Sequence, residues 1–313
     1  VWSLILSQIL KDLSLCVLIM IYSKWKLKFH FRGYHIKNLL KYGIPITGQA
    51  LLDYLNQSSD SIIIGRFLGQ NALGYYQVAL SLAKMPIQRV IAITNKVTFP
   101  VFAELQNNDE QFRNYFYRLF ELISIFAFPV FLGIFLIAED IIVLILSEKW
   151  LPSLFILRVF CIWAILRSYT GFLMVVLKAK GNVNAAFRYS LYSAIILPVS
   201  FLVGVRFGIT GVAISWLVCF PILMLYLLYL IKKEIQITFA KTFLSAGHAF
   251  AASMLMVISG FFIKSVLFST MPISFYSMGF SIVFGAIVFA GYYYIFSRKT
   301  YTQIQAMIGD LKA

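Results

Sequence analysis

Apolar residues in this chain are gathered into long blocks instead of alternating with polar residues at every helical turn. The blocks hold roughly 20 residues each, and turn-forming or charged residues separate them. An apolar helix of about 20 residues crosses the roughly 30 Å hydrocarbon core of a bilayer. The sequence therefore predicts an all-α fold, a polytopic transmembrane helix bundle of about nine spans. The predicted spans cover residues 2–22, 42–66, 72–96, 119–145, 153–177, 184–205, 209–231, 244–266 and 274–296.

The second predicted span, 42–66, carries a stripe of polar residues along one side. At 100° per residue, five polar side chains fall within a sector of about 100°, and the opposite side is apolar. These five residues are Gln49, Asp53, Asn56, Gln57 and Asp60.

The third predicted span, 72–96, repeats this pattern in a narrower sector. Its polar stripe consists of Gln77, Ser81, Lys84, Gln88 and Asn95. Arg89 lies beside the stripe, and Pro86 predicts a kink near the middle of the span.

Two interpretations of the stripes remain open from the sequence. A polar residue in a span often hydrogen-bonds to a neighbouring helix and has only a structural role. Ionisable residues inside a bundle also mark water-filled cavities and substrate paths. Because both stripes are aligned on adjacent helices, we favour a shared cavity. Arg158 and Arg167 add further charge, and their spacing places them on opposite faces of one helix, so only one can reach that cavity.

Composition and charge agree with a membrane protein. The chain is 61% hydrophobic and 12% charged, with a formal net charge of +15. Of the 27 Lys and Arg residues, eighteen fall on one side of nine alternating spans and four on the other, with five inside spans. Basic residues accumulate in cytoplasmic loops, so we expect the 23–41 loop and the C-terminus in the cytoplasm. The net charge thus reflects topology, and no nucleic-acid partner is expected. Residues 99–121 mix charge with aromatic residues and predict an amphipathic helix along the inner surface.

Catalytic and cofactor motifs are not found in the sequence. The chain contains no nucleotide-binding glycine loop, no zinc-protease motif and no nucleophile-elbow motif. Its three cysteines form no CxxC pair, and its three histidines show no ligand spacing. We therefore expect no enzyme activity, no metal, no cofactor and transport driven by a gradient. The chain starts at Val1, directly in an apolar span, which predicts a fragment that lacks upstream spans.

Four segments resemble the Wzx-type polysaccharide and oligosaccharide flippases of the multidrug/oligosaccharidyl-lipid/polysaccharide superfamily. The longest is "KYGIPITGQALLDYLNQSSDSIIIGRFLGQNALGYYQVALSLAKMPIQ" at 41–88. The others, in family order, are "FPVFAELQ" at 99–106, "SEKWLPS" at 147–153 and "GVRFGITGVAISW" at 204–216.

This resemblance implies a domain organisation. Residues 1–41 would hold the last span of a missing N-terminal lobe and a basic cytoplasmic loop. Residues 42–231 would form a six-helix C-terminal lobe, the second lobe of a two-lobe flippase. Residues 232–313 would form an extra helix pair and a cytoplasmic tail. In such proteins the first two helices of each lobe line a central cavity, and here those helices are 42–66 and 72–96.

The resemblance also implies a substrate, a polyprenyl-pyrophosphate-linked oligosaccharide exported across the bacterial cytoplasmic (inner) membrane for surface polysaccharide. Lys84 and Arg89 would bind the diphosphate. Asp53 and Asp60 would balance these cations or bind a coupling proton or sodium ion. Ser81 would line the same cavity. Amide side chains would contact the sugar, namely Gln49, Asn56, Gln57, Gln77, Gln88 and Asn95. Membrane lipids and a polysaccharide polymerase or export machinery would be further partners.

The sequence leaves three alternatives to this function. A multidrug or cation antiporter of the same superfamily would use acidic residues more than basic ones, whereas this chain pairs its carboxylates with Lys84 and Arg89. A membrane glycosyltransferase, polymerase or ligase would carry large external loops, and the predicted external loops are short. A fragment without one lobe would not transport by itself.

Overall fold

A computed structural model describes residues 2–22, 33–267 and 274–296 of the chain. Within this part every regular element is helical, which confirms the predicted all-α fold. The helices are α1 Trp2–Tyr22, α2 Gly33–Phe67, α3 Gly69–Glu104, α4 Asp109–Leu136, α5 Ala138–Ile141, α6 Leu154–Ala179, α7 Val183–Gly204, α8 Gly208–Ile235, α9 Phe239–Leu267 and α10 Phe275–Phe296.

Five segments of the described part are long and apolar enough to cross a membrane, judged by length and composition. They are Asp109–Leu136, Glu148–Ala179, Val183–Ile235, Phe239–Val266 and Phe275–Phe296. The Val183–Ile235 segment holds 53 residues, and Gly208, with a φ of +76°, begins its second helix, α8. The protein is therefore a membrane protein with several spanning helices, and the count of nine spans stays a prediction.

The expected surface helix over 99–121 is wrong, because this stretch divides between two long helices. A 3-10 turn at Leu105–Asn107 ends α3. Asn108 then caps α4, since its side chain accepts a hydrogen bond from the backbone N–H of Gln111 at 3.1 Å. The aromatic residues that suggested an amphipathic surface helix are buried in the core, as Phe112 and Phe116 have no exposed surface.

The chain divides into two compact units, Val1–Ile44 and Pro45–Ala313. The first holds α1 and the beginning of α2. In the second, α6 is the central helix and packs against α3, α4 and α8, while α7 packs on α8. The remaining pair, α9 and α10, packs on α4 and on each other.

Aromatic residues fill the core around α6. Phe120 stacks on Tyr169 with ring centroids 4.3 Å apart, and Trp163 contacts Trp216 at 5.1 Å. Such contacts bury large apolar area and fix α6 against α4 and α8. They also place Trp216 beside α2 and α3, where the polar residues are concentrated.

Candidate functional site

Asp60 of α2 is the centre of the polar site. It has no exposed surface, and its carboxylate accepts four hydrogen bonds. Oδ1 accepts from the backbone N–H and the hydroxyl of Ser61 at 2.6 and 3.0 Å. Oδ2 accepts from the Tyr76 hydroxyl of α3 at 2.7 Å and from Trp216 Nε1 of α8 at 3.3 Å. Because Trp216 Nε1 also donates to the Tyr76 hydroxyl at 3.0 Å, three helices are joined through one buried acid.

A second group of contacts joins α2 to α7. The Ser190 hydroxyl donates to Asp53 Oδ1 at 2.9 Å. The side-chain amide of Asn56 donates to Ser193 Oγ at 2.9 Å and to the Ser190 carbonyl at 3.5 Å. Gln49 lies one turn earlier and donates to Asp53 Oδ2 at 3.5 Å. These polar residues therefore hydrogen-bond to a neighbouring helix, as the first of the two interpretations expects.

The polar residues of α3 extend the site toward basic side chains. Gln77 Nε2 donates to the Ser61 hydroxyl at 2.5 Å, one residue beyond Asp60. Lys84 is half-buried, and Asp60 and Arg167 of α6 are the charged groups close enough to act on it, although it forms no ion pair within 4 Å among the described residues. A shared role of Lys84 and Asp60 in one cavity stays a prediction, and Arg167 is a further cation near Lys84.

Three of the predicted site residues are exposed, namely Gln57, Ser81 and Gln88. The side chains of two others, Arg89 and Asn95, lie outside the described residues, so their predicted contacts stay predictions. The eleven predicted residues therefore separate into a buried network, an exposed set and this last pair. Whether the exposed set lines a cavity also stays a prediction.

Some acceptors in the network have no hydrogen-bond partner among the described residues. They are the side-chain carbonyl oxygens of Gln49 and Asn56, on either side of Asp53 along one face of α2. Three oxygen-bearing side chains thus follow one another at helical spacing. This arrangement concentrates negative partial charge where α2 meets α7.

Sequence reasoning missed several members of this network. Tyr76, Trp216, Ser190 and Ser193 looked like ordinary residues of apolar helices, and only Arg167 was noticed as a charge inside a span. Periodicity reports which side of a helix a residue occupies, but not which distant helix packs there. The available signal was that Tyr76 and Trp216 lie inside the family-like segments 41–88 and 204–216.

A second charged cluster, also unpredicted, joins α5 to α9 and α6. Lys264 Nζ donates to Asp140 Oδ2 at 2.6 Å, and Asp140 has no exposed surface. Arg158, on the face of α6 opposite Arg167, lies 3.9 Å from Glu139 of α5 and forms an ion pair with it. This cluster ties the last helix pair to the rest of the unit.

Comparison with known proteins shows what the chain is similar to. Residues 1–155 match the family described as polysaccharide biosynthesis protein. The lipopolysaccharide biosynthesis protein WzxC of Escherichia coli K12 is 28% identical over 189 residues, which is 60% of this chain and 38% of that relative. The teichuronic acid biosynthesis protein TuaB of Bacillus subtilis is 28% identical over 193 residues, 62% of this chain and 40% of that relative. A membrane protein from the cps region of Klebsiella pneumoniae is 31% identical over 185 residues, 59% of this chain and 38% of its own length.

A solved structure shares the fold. The lipid II flippase MurJ in an inward closed conformation superposes with a TM-score of 0.71 at 18% identity, covering 90% of this chain and 59% of MurJ. At this identity the likeness shows the fold alone. The chain spans about two fifths of the length of the curated relatives it matches. Together these relatives confirm the resemblance to polysaccharide flippases that the sequence indicated.

Proposed function

We propose, on the premise that this chain is a relative of the polysaccharide biosynthesis proteins, that it moves a lipid-linked saccharide across the bacterial cytoplasmic membrane. The substrate would be a polyprenyl-pyrophosphate-linked oligosaccharide on its way to the cell surface. The protein would act as a transporter and not as an enzyme, with its C-terminus in the cytoplasm. What supports this most is the half-buried Lys84 of α3, on which the charges of Asp60 and Arg167 act, within the polar stripes of α2 and α3.

The chemistry of the substrate fits this group of side chains. A diphosphate carries several negative charges, and Lys and Arg side chains form the strongest hydrogen bonds with such groups. Lys84 and Arg167 supply two cations whose charges act on each other, and Arg89 is a third, beside the predicted stripe. Without a ligand, like charges repel each other, so the carboxylate of Asp60 offsets part of their charge. A bound diphosphate would take over this role.

The exposed amide and hydroxyl side chains suit the saccharide. Gln57, Ser81 and Gln88 are exposed and have donors and acceptors for sugar hydroxyls. By contrast, Asn56 and Asp53 are held by α7, so they would act by positioning α2 instead of binding sugar directly.

Alternating access requires that helices change neighbours around the site. Only a few hydrogen bonds join α2 to α7, and water can replace them at a modest cost in free energy. Asp53, flanked by the unpartnered oxygens of Gln49 and Asn56, would take a coupling proton or sodium ion at this joint. Ion binding and helix movement would then be coupled.

A chromosomal Lys84→Ala substitution tests the proposed function in the cell's own protein. We expect loss of surface polysaccharide with normal amounts of protein in the membrane. Lys149→Ala is the matched control, because it removes the same charge from an exposed position far along the chain and should leave surface polysaccharide unchanged. Normal polysaccharide in the Lys84→Ala strain would refute the assignment of this residue.

The alternative function, a multidrug or cation antiporter, draws on the two carboxylates of α2. It predicts that the chain exports cationic dyes and that Asp60→Asn abolishes this export. Surface polysaccharide would then be unaffected by Lys84→Ala. A dye-efflux assay in the same strains therefore separates the two functions.

A further inference from the structure

A cleft of about 440 Å³ lies between α4 and α9, separate from the Asp60 site. One wall is a face of α4 with Asn114, Tyr117 and Arg118, and the other is a face of α9 with Lys241 and Ser245. Both faces use positions three and four residues apart, which is how one side of a helix is formed. The cleft is therefore built by two packed helices and not by a surface loop.

The Tyr117 ring and hydroxyl organise the wall of the cleft that carries Lys241. The Tyr117 hydroxyl accepts the backbone N–H of Thr238 at 2.9 Å, which fixes the start of α9 against α4. Lys241 Nζ lies 4.6 Å from the centroid of the Tyr117 ring. Arg118 is exposed on the facing wall. Two cations thus stand on opposite walls of one cleft.

Neither cation is paired with a carboxylate in the described part of the chain. Ion pairs there within 4 Å involve Arg158, Lys180 and Lys264. Glu121 also lines the cleft, and His248 lies at its far end near Tyr292, with ring centroids 6.4 Å apart. The fixed charges of the lining are thus two positive and one negative, which favours an anion.

The surroundings of the cleft decide which kind of anion it takes. Leu244, on the same face of α9, is 75% exposed, and Phe243 beside it is 50% exposed. Phe250 continues this apolar surface two turns further along the helix. A soluble phosphate would gain nothing from these side chains, whereas acyl chains would cover them.

We propose that this cleft binds the phosphodiester headgroup of an anionic phospholipid, with Arg118 and Lys241 on either side of the phosphate. Asn114 donates a further hydrogen bond to it, and the acyl chains lie on the apolar surface of α9. Arg118 and Lys241 both belong to the predicted cytoplasmic side, where anionic lipids attract basic groups of membrane proteins. The lipid would hold α9 and α4 together at this end.

Lipid binding to the purified chain in neutral detergent tests the proposal by native mass spectrometry. The probes are dioleoyl phosphatidylglycerol and dioleoyl phosphatidylcholine, which have the same acyl chains. We expect phosphatidylglycerol to bind several-fold more tightly than phosphatidylcholine. Each cation near a membrane surface accounts for about a fivefold change in affinity, so the Arg118→Gln/Lys241→Gln variant should bind it roughly 25-fold more weakly.

Control variants separate the cleft from net charge and from folding. The Lys149→Gln/Arg206→Gln variant removes two exposed cations elsewhere. It should bind phosphatidylglycerol as the unmodified chain does. Lys241→Arg keeps the charge and should also retain binding. Loss in the Lys149/Arg206 control, equal binding of both lipids, or displacement of the lipid by inorganic phosphate would each overturn the proposal.

Discussion

The Tyr76 hydroxyl joins α3 to both α2 and α8, and its removal perturbs the Asp60 network with a change of one oxygen atom. Tyr76→Phe deletes the 2.7 Å bond to Asp60 Oδ2 and the 3.0 Å bond from Trp216 Nε1. A hydrogen bond to a charged group contributes about 1.5–3 kcal/mol, whereas interhelical pairs in membrane bundles average about 0.6 kcal/mol. Asp60 is fully buried but keeps its bonds from Ser61 and Trp216. We therefore expect the free energy of unfolding to fall by about 2 kcal/mol.

Unfolding by SDS titration in mixed micelles measures this change. Tyr54→Phe is the matched control, because Tyr54 lies on α2 and is 67% exposed, and it should change the free energy of unfolding by less than about 0.5 kcal/mol. In a Trp216→Phe background the effect of Tyr76→Phe should shrink, since the two residues share one network. Equal effects of Tyr76→Phe and Tyr54→Phe would show that the buried network does not stabilise the bundle.

Two further predictions concern helix packing and the second charged cluster. Gly204→Ala should lower stability by about 1–3 kcal/mol, because an added Cβ would lie 2.7 Å from the carbonyl oxygen of Gly211 in α8. Gly279→Ala meets open space and should have almost no effect on stability. Equal losses of unfolding free energy in the two variants would contradict the close contact between α7 and α8. Lys264→Met should cost about 3 kcal/mol by leaving the buried Asp140 without its cation. Adding Asp140→Asn should restore part of that stability in the same SDS titration, and a further loss would contradict the pairing.

Hydropathy was enough to find the helices, because a membrane helix must satisfy its own backbone hydrogen bonds and cover itself with apolar side chains. The predicted boundaries failed mainly around residues 99–146. There, α4 begins at Asp109, ten residues before the predicted span at 119, with Asn108 as its N-cap. Beyond Leu136 the chain continues as the short α5 and a π-helix at Ile142–Leu146, where hydropathy had indicated one uninterrupted span.

For the polar site, the sequence predicts which side of α2 the polar residues occupy, but not which residues of other helices hydrogen-bond to them. Helical periodicity places Asp53, Asn56 and Asp60 on one side of α2, and the structure finds all three hydrogen-bonded. Their partners lie on other helices, as Ser190 does more than 130 positions from Asp53 in the chain. A serine or tryptophan in an apolar helix is common, so its local sequence does not mark it as a partner.

The Asp140–Lys264 pair illustrates the same limit for charges. Each residue lies near the end of a predicted span, where charged residues usually reach water. The break after Leu136 instead turns Asp140 into the interior, where α9 supplies its cation. Only the packing of α4 and α5 against α9 makes this pair recognisable.

Water access along α2 and α3 tests the central claim most directly. Single cysteines at Gln57, Ser81 and Gln88, introduced after replacement of the three native cysteines, can be labelled with a charged, membrane-impermeant thiol reagent in vesicles. Ile62→Cys on the apolar face of α2 is the control, since Ile62 is 64% exposed but should face lipid. We predict rapid labelling at the three polar positions and little at Ile62. Labelling at those positions as slow as at Ile62 would contradict a hydrophilic path for a lipid-linked saccharide along these helices.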